Sequence, residues 1–399
     1  MKNWYNLLRS SVYLFALLGV LLIPFPFYLL GFQEEIAPYL FSNAVSWLSE
    51  HLFHTSLNPP VFTSDTLALG CLFIVLAALA VGIALLLQLV KRLRQQQQPL
   101  VIICRIAACY YLSLQLLKYG FDKVFKAQFY LPEPNILYTP VGQLGKDMLF
   151  WTTMGTSWSF NVFLGLMELL PAALLMFKRT RVVGLLLATG VLLPVVMLNI
   201  SFDISVKLFS MFLLFLSILL LSPFFKPLYA FAIQQKKAFL TEDNWLLPFE
   251  IPVFIRVALK SFVIGLLLLE GLCPYLLSGN FNDDRALRPA LHGAYAVTSI
   301  IAPGDTLPQP LPVKRVFIHR KGYIIFQDAH DGMQDFKLSV DARKGLLELT
   351  DYALHTTLLE YRVQPADSLF SMQFEYQGRS YWLQARRLSW EKLPVLRGE

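Results

Sequence analysis

Charge is what this chain has least of. Only 15% of its 399 residues are Asp, Glu, Lys or Arg, while 56% are hydrophobic, and the mean hydropathy of +0.53 lies outside the range of soluble domains. Histidine is scarce too. All six, His51, His54, His292, His319, His330 and His355, fall outside the long apolar runs, so no pair of intramembrane imidazoles could hold a haem. The four cysteines, Cys71, Cys104, Cys109 and Cys273, form no C-x-x-C pair, which argues against a thiol relay and a zinc site; no metal is expected. Neither a P-loop nor a dinucleotide-binding glycine fingerprint occurs.

Long apolar runs fill the first two thirds of the chain. Seven stretches suffice to cross a bilayer: Ser11–Leu30, Thr66–Val90, Pro99–Lys118, Ser159–Phe177, Val182–Ile200, Val206–Phe224 and Pro252–Leu272. The third and seventh contain Arg105, Arg256 and Lys260 near the ends expected in the cytoplasm, where such side chains reach the interface. The first run contains Pro24 and Pro26 and lacks a small-residue cleavage site, so it reads as a retained span. Basic residues precede span one (Lys2, Arg9) and follow spans two (Lys91, Arg92, Arg94), four (Lys178, Arg179, Arg181) and six (Lys226, Lys236, Lys237). With seven spans these segments share one side, which places the amino terminus in the cytoplasm and the carboxyl terminus outside. The net charge of +7 is then a topology signal, and nucleic acid is not an expected partner.

The texture changes after Cys273. "KRVFIHR" and "YIIFQD", "FKLSVD" and "LLELT", "LLEYRV" and "LFSMQFEY", then "SYWLQARRL", are short alternating segments joined by turn signals. They predict an antiparallel β meander, closed or half-closed, outside the membrane. The fold class expected is thus a polytopic α-helical bundle of about seven spans followed by a small antiparallel β-meander or barrel domain. Expected divisions are 1–98, two spans with an outer surface helix; 99–225, a four-span core; 226–281, a cytoplasmic connection and the last span; and 282–399, the β domain. The surface helix rests on the spacing of Ile36, Leu40, Val45, Leu48 and Phe53.

Polar residues far apart in sequence converge on the outer ends of spans three to six. Lys123, Lys126 and Gln128 extend span three, and Asn199, Asp203 and Lys207 lie where span five passes into span six. Glu168 falls about 13 Å inside span four, near mid-membrane, where an ionisable group is a functional hypothesis by default. Plainer roles are open for the others: Asp203 as a helix cap or as the i,i+4 partner of Lys207, Lys123 and Lys126 as surface charges, and Trp151 as an interfacial anchor.

"YGFDKVFKAQF", "WTTMGTSWSF", "GLMELLPAALLMFKRTRVVG" and "NISFDISVKLFS" together resemble DoxX-like integral membrane proteins, in the larger Bacteroidetes-type form that carries extra spans and an outer β domain. The likeness covers about 118–223 well and the first hundred residues hardly. Phe202 and Ser205 stand where that family has Tyr and Pro. Matching positions imply Glu168, Lys123 and Lys207 as catalytic residues, Glu168 carrying a proton and Lys207 or Lys123 binding a carbonyl, with Asn199, Asp203, Gln128, Trp151 and Ser157 as binding residues. Three readings stay open. In the first, the protein interacts with a quinone, as a redox or redox-assembly component. In the second, it is an envelope assembly scaffold whose β domain binds a membrane or periplasmic protein. The third is a carboxylase-like lipid or quinone enzyme with Lys123 as base, prompted by a similarity of layout to vitamin K-dependent carboxylase-like membrane proteins.

Overall fold

A computed structural model of the protein describes residues 2–237, 252–302, 305–364 and 368–396. The chain divides into two compact units. One comprises Met1–Gln128 and Asn161–Phe281; the other combines Phe129–Phe160 with Asn282–Glu399. The segment joining spans three and four thus groups largely with the β domain.

The first unit is helical. It contains α1 (Lys2–Leu22), α2 (Phe32–Phe53), α3 (Leu67–Leu89), α4 (Lys91–Arg94) and α5 (Gln97–Val124). In the second unit are α6 (Pro134–Leu137) and α7 (Lys146–Gly155). The bundle resumes with α8 (Trp158–Leu175), α9 (Arg181–Ser201), α10 (Lys207–Leu221), α11 (Phe225–Ala232) and α12 (Val253–Ser278). Among the described residues, six helical stretches are long and apolar enough to cross a membrane: those of α1, α3, α5, α8 and α9, and the run Lys207–Ala232. The seventh expected span corresponds to α12, 26 residues long, whose apolar run is interrupted by Arg256, Lys260 and Glu270.

Lipid tails are as apolar as leucine, so close fit and buried polar contacts hold such a bundle together more than the hydrophobic effect does. The interior is packed by Leu72, Leu76, Leu112, Leu116, Leu185 and Leu216, all at most 2% exposed. An aromatic knot of Phe15, Phe73, Phe212 and Phe215 ties α1, α3 and α10 together, with ring centroids 5.6–6.2 Å apart. The predicted surface helix exists as α2, but its inward face differs from the expected one. Gln33, Ala37, Val45 and Ser49 are buried, whereas Ile36, Leu40 and Phe53 are exposed.

Among the described residues, the second unit is built on nine antiparallel strands: β1 (Gly293–Ala302), β2 (Asp305–Thr306), β3 (Arg315–His319), β4 (Tyr323–Gln327), β5 (Met333–Asp341), β6 (Leu346–Thr350), β7 (Thr356–Gln364), β8 (Leu369–Tyr376) and β9 (Arg379–Arg387). Their order is β2-β1-β3-β4-β5-β6-β7-β8-β9, and β1 also pairs with β9. The eight strands β1 and β3–β9 therefore close into a barrel, with β2 folded back on β1; closure removes the open edges of a sheet. Ile300, Val316, Ile324, Leu347, Phe370, Met372 and Leu383 fill it. The two-residue turn between Tyr376 and Arg379 has φ of 51° at Gln377 and 74° at Gly378, the paired positive angles that a tight hairpin requires.

β3–β9 are the strands that alternation predicts; it misses the two-residue β2 and the long β1. Gly293, Ala294 and Tyr295 are all buried. Ala294 packs outside the barrel with Phe317, Ile325, Tyr138 and Trp390, while Tyr295 joins the inner core. A strand covered on both faces has no polar side to alternate with.

Candidate functional site

α5 and α8 meet at two glycines. A Cβ on Gly165 would stand 2.6 Å from the carbonyl oxygen of Gly120, and one on Gly120 would stand 2.8 Å from the Leu169 side chain. Only residues without side chains allow such an approach. Lys123 lies three residues after Gly120, and Glu168 three after Gly165, so each occupies the turn next to the crossing. Lys123 Nζ donates to Glu168 Oε1 at 2.9 Å and to Oε2 at 2.8 Å. It also sits 5.3 Å from the centre of the Tyr119 ring. Both residues are buried, Lys123 at 7% and Glu168 at 4% exposure. Lys126 is fully buried as well, so the plainer reading of these lysines as surface charges does not hold.

A cavity of about 60 Å³ opens beside the pair, lined by polar groups of Lys123, Gln128, Glu168, Asn199 and Ser210 and walled by residues such as Leu116 and Leu213. Its volume exceeds the roughly 10–15 Å³ that a single water molecule needs. Gln128 Oε1 is buried with no hydrogen-bond partner among the described residues. A donor entering the cavity would satisfy it.

The other residues proposed from sequence lie elsewhere. Lys207 and Asp203 form the i,i+4 ion pair at 2.7 Å, but neither lines the cavity, which meets α10 through Phe209, Ser210 and Leu213. Asp203 is not the cap of α10. That role falls to Asp65, whose carboxylate accepts from the backbone N–H groups of Lys207 and Leu208, each at 2.9 Å, and lies 3.5 Å from Lys207 Nζ. Trp151 belongs to α7 in the second unit, 4.8 Å from the Phe129 ring. Ser157 accepts from the Phe160 N–H at 3.3 Å, the bond of a helix cap.

Sequence reasoning passed over three acids. Glu270 of α12 is completely buried. It accepts from the Tyr28 N–H and, at 2.7 Å, from the Leu29 N–H, and it lies 3.5 Å from Lys118 Nζ. It answers to the same rule that singled out Glu168, an acid within an apolar run. Asp65 gave no signal beyond preceding Thr66. Glu133 did give one: a carboxylate held between Pro132 and Pro134, in "LPEPN".

Glu133 is the centre of a buried network in the second unit. His292 Nε2 lies 2.9 Å from its Oε2, and Arg320 Nε 2.6 Å from its Oε1. Arg320 also pairs with Asp283 and stacks 3.7 Å from the centre of the Tyr130 ring. Burial pushes the Glu133 carboxyl up. The His292 hydrogen bond and the charges of His319, Arg320 and His292 outweigh that, and hold it below the usual glutamate range. Burial likewise holds the His319 imidazole below its usual range, against the pull of Glu133 and with the help of Arg320 and Lys321.

No family model matches the chain, and no solved structure matches it. Over 112 residues it is 31% identical to the "Uncharacterized protein YwoB" of Bacillus subtilis (strain 168), an alignment that spans 28% of this chain and 70% of that protein. By that likeness the chain belongs to the family of YwoB.

Proposed function

We propose that this chain is a DoxX-like multi-pass protein of the bacterial cytoplasmic membrane, with its amino terminus in the cytoplasm and its barrel in the periplasm. In this reading the Lys123–Glu168 pair exchanges protons with an oxygen-bearing ligand drawn from the bilayer, for which a quinone is the candidate. One observation carries the reading: the buried pair lines a small cavity together with Gln128 and Asn199. About 60 Å³ takes the oxygen end of such a molecule, and its ring would lie between the helices. Small-molecule sites that enclose a whole ligand run from about 300 Å³ upward. Electrons would come from a partner or from the quinone itself.

A second reading, an envelope scaffold, is favoured by the directness of the contact. Both Glu168 oxygens already lie within hydrogen-bond reach of one ammonium group, and a clamp on the α5–α8 crossing needs nothing more.

The test is quinone retention by the full chain purified in mild detergent, measured against total lipid by mass spectrometry. Wild type should retain quinone above the bulk ratio, and Glu168→Gln should lose it while still purifying as a folded protein, less stable because Lys123 is left without its carboxylate. No enrichment in wild type, or equal enrichment in Glu168→Gln, would sink the quinone reading.

A further inference from the structure

The second unit has a larger cleft, independent of the bundle. Strands β3, β4 and β5 bring residues of their outer face into register: His319 opposite Tyr323, and Ile325 opposite Asp335. Asn135 of α6 and Tyr352, in the turn joining β6 and β7, complete the walls of an open cleft of about 350 Å³. That volume falls in the range of small-molecule sites, about 300–1,000 Å³.

We propose that this cleft binds a neutral saccharide. Its floor is apolar at Ile325, and the rings of Tyr323 and Tyr352 supply flat faces of the kind against which the C–H face of a sugar packs. Asp335 accepts from the Tyr352 hydroxyl at 2.5 Å and has a further oxygen to accept a ligand hydroxyl. The Asn135 amide can donate and accept, and the Tyr323 hydroxyl can do both. His319 Nδ1 accepts from the Lys321 N–H at 3.1 Å, so in the neutral ring Nε2 carries the proton.

The charge pattern selects among ligand classes. Neither Lys nor Arg is among the lining residues, and Asp335 is the one carboxylate there. A phosphate or carboxylate would therefore meet a negative wall. A cation would find the carboxylate and two rings, but it would have no use for the donors of Asn135 and Tyr323. A polyol uses acceptors, donors and the apolar floor together.

Saturation-transfer NMR on the full chain tests this in a polyoxyethylene detergent, because glucoside and maltoside headgroups would compete. The probes are neutral disaccharides of gluco, galacto and manno configuration, with and without an N-acetyl group, alongside tetramethylammonium and inorganic phosphate. At least one disaccharide should bind saturably. Asp335→Ala and Tyr352→Ala, both at the surface, should each weaken it at least tenfold with the unfolding temperature unchanged. The proposal fails if no disaccharide binds saturably, if neither substitution weakens binding, or if tetramethylammonium or phosphate binds in place of the sugars.

Discussion

Lys123 and Glu168 each stand one helical turn from the place where Gly120 and Gly165 bring α5 and α8 together, and the two side chains meet at 2.8 Å. Removing one partner strands the other charge inside the bundle. Lys123→Met should cost about 3–5 kcal/mol, whereas replacing both by apolar residues should restore most of the loss. Denaturant unfolding of the single and double variants in detergent measures the difference. A loss in the double variant equal to the sum of the two single losses would mean that the pair is not coupled.

The crossing itself is testable. Gly165→Ala places a methyl group 2.6 Å from the Gly120 carbonyl, and forcing the helices apart should cost about 1–3 kcal/mol. Gly190→Ala on α9, with nothing within 4 Å of the added atom, should be neutral or stabilising by up to about 1 kcal/mol. If Gly165→Ala unfolds no earlier than Gly190→Ala, the close approach is not what holds these helices.

Asp65 and Asp203 make opposite predictions. Asp65→Ala removes the acceptor for two N–H groups at the start of α10 and should cost about 1–2 kcal/mol. The Asp203 side chain is 80% exposed, so Asp203→Gly, which suits the residue's φ of 54°, should cost at most about 1 kcal/mol. Thermal unfolding of the two variants side by side ranks them. The reverse order would restore Asp203 as the cap.

Acid should loosen the barrel in two steps. Glu133 and His319 both have folded-state values held below their ordinary ones, so the unfolded chain binds more protons and stability rises with pH. The His319 contribution is present above about pH 6.5 and is lost as pH falls below it; that of Glu133 is present above about pH 4.3 and is lost below it. Near-ultraviolet circular dichroism of the full chain, followed on heating between pH 8 and 3.5, would show the unfolding temperature falling through both windows. Glu133→Gln should abolish the lower step. A flat profile would contradict the network.

Much of this architecture is legible in the sequence, because lipid imposes long apolar runs and a half-buried strand imposes alternation. Legibility ends where tertiary contacts rewrite those patterns. β1 is hidden because it is covered on both faces, and the inward face of α2 follows Gln33, Ala37, Val45 and Ser49 in place of its larger side chains. At the site, Glu168 stood out by its depth in lipid, and Lys123 lies in the segment that extends span three. Their pairing depends on the Gly120–Gly165 crossing, which no local spacing announces. Lys207 and Asp203 looked like members of the same cluster because they end the neighbouring helices. A face of α10 that no spacing argument had fixed, carrying Ser210 and Leu213, meets the cavity instead.

The central claim is that the Lys123–Glu168 pair is a site as well as a clamp, and the double variant Lys123→Met/Glu168→Met separates the two roles. The measurement is its unfolding free energy together with the small molecules that co-purify with it, compared with wild type. A site predicts a protein that unfolds close to wild type yet has lost the co-purifying ligand. Near-wild-type stability with the same ligand retained in the same amount would contradict the account and leave the pair a clamp alone.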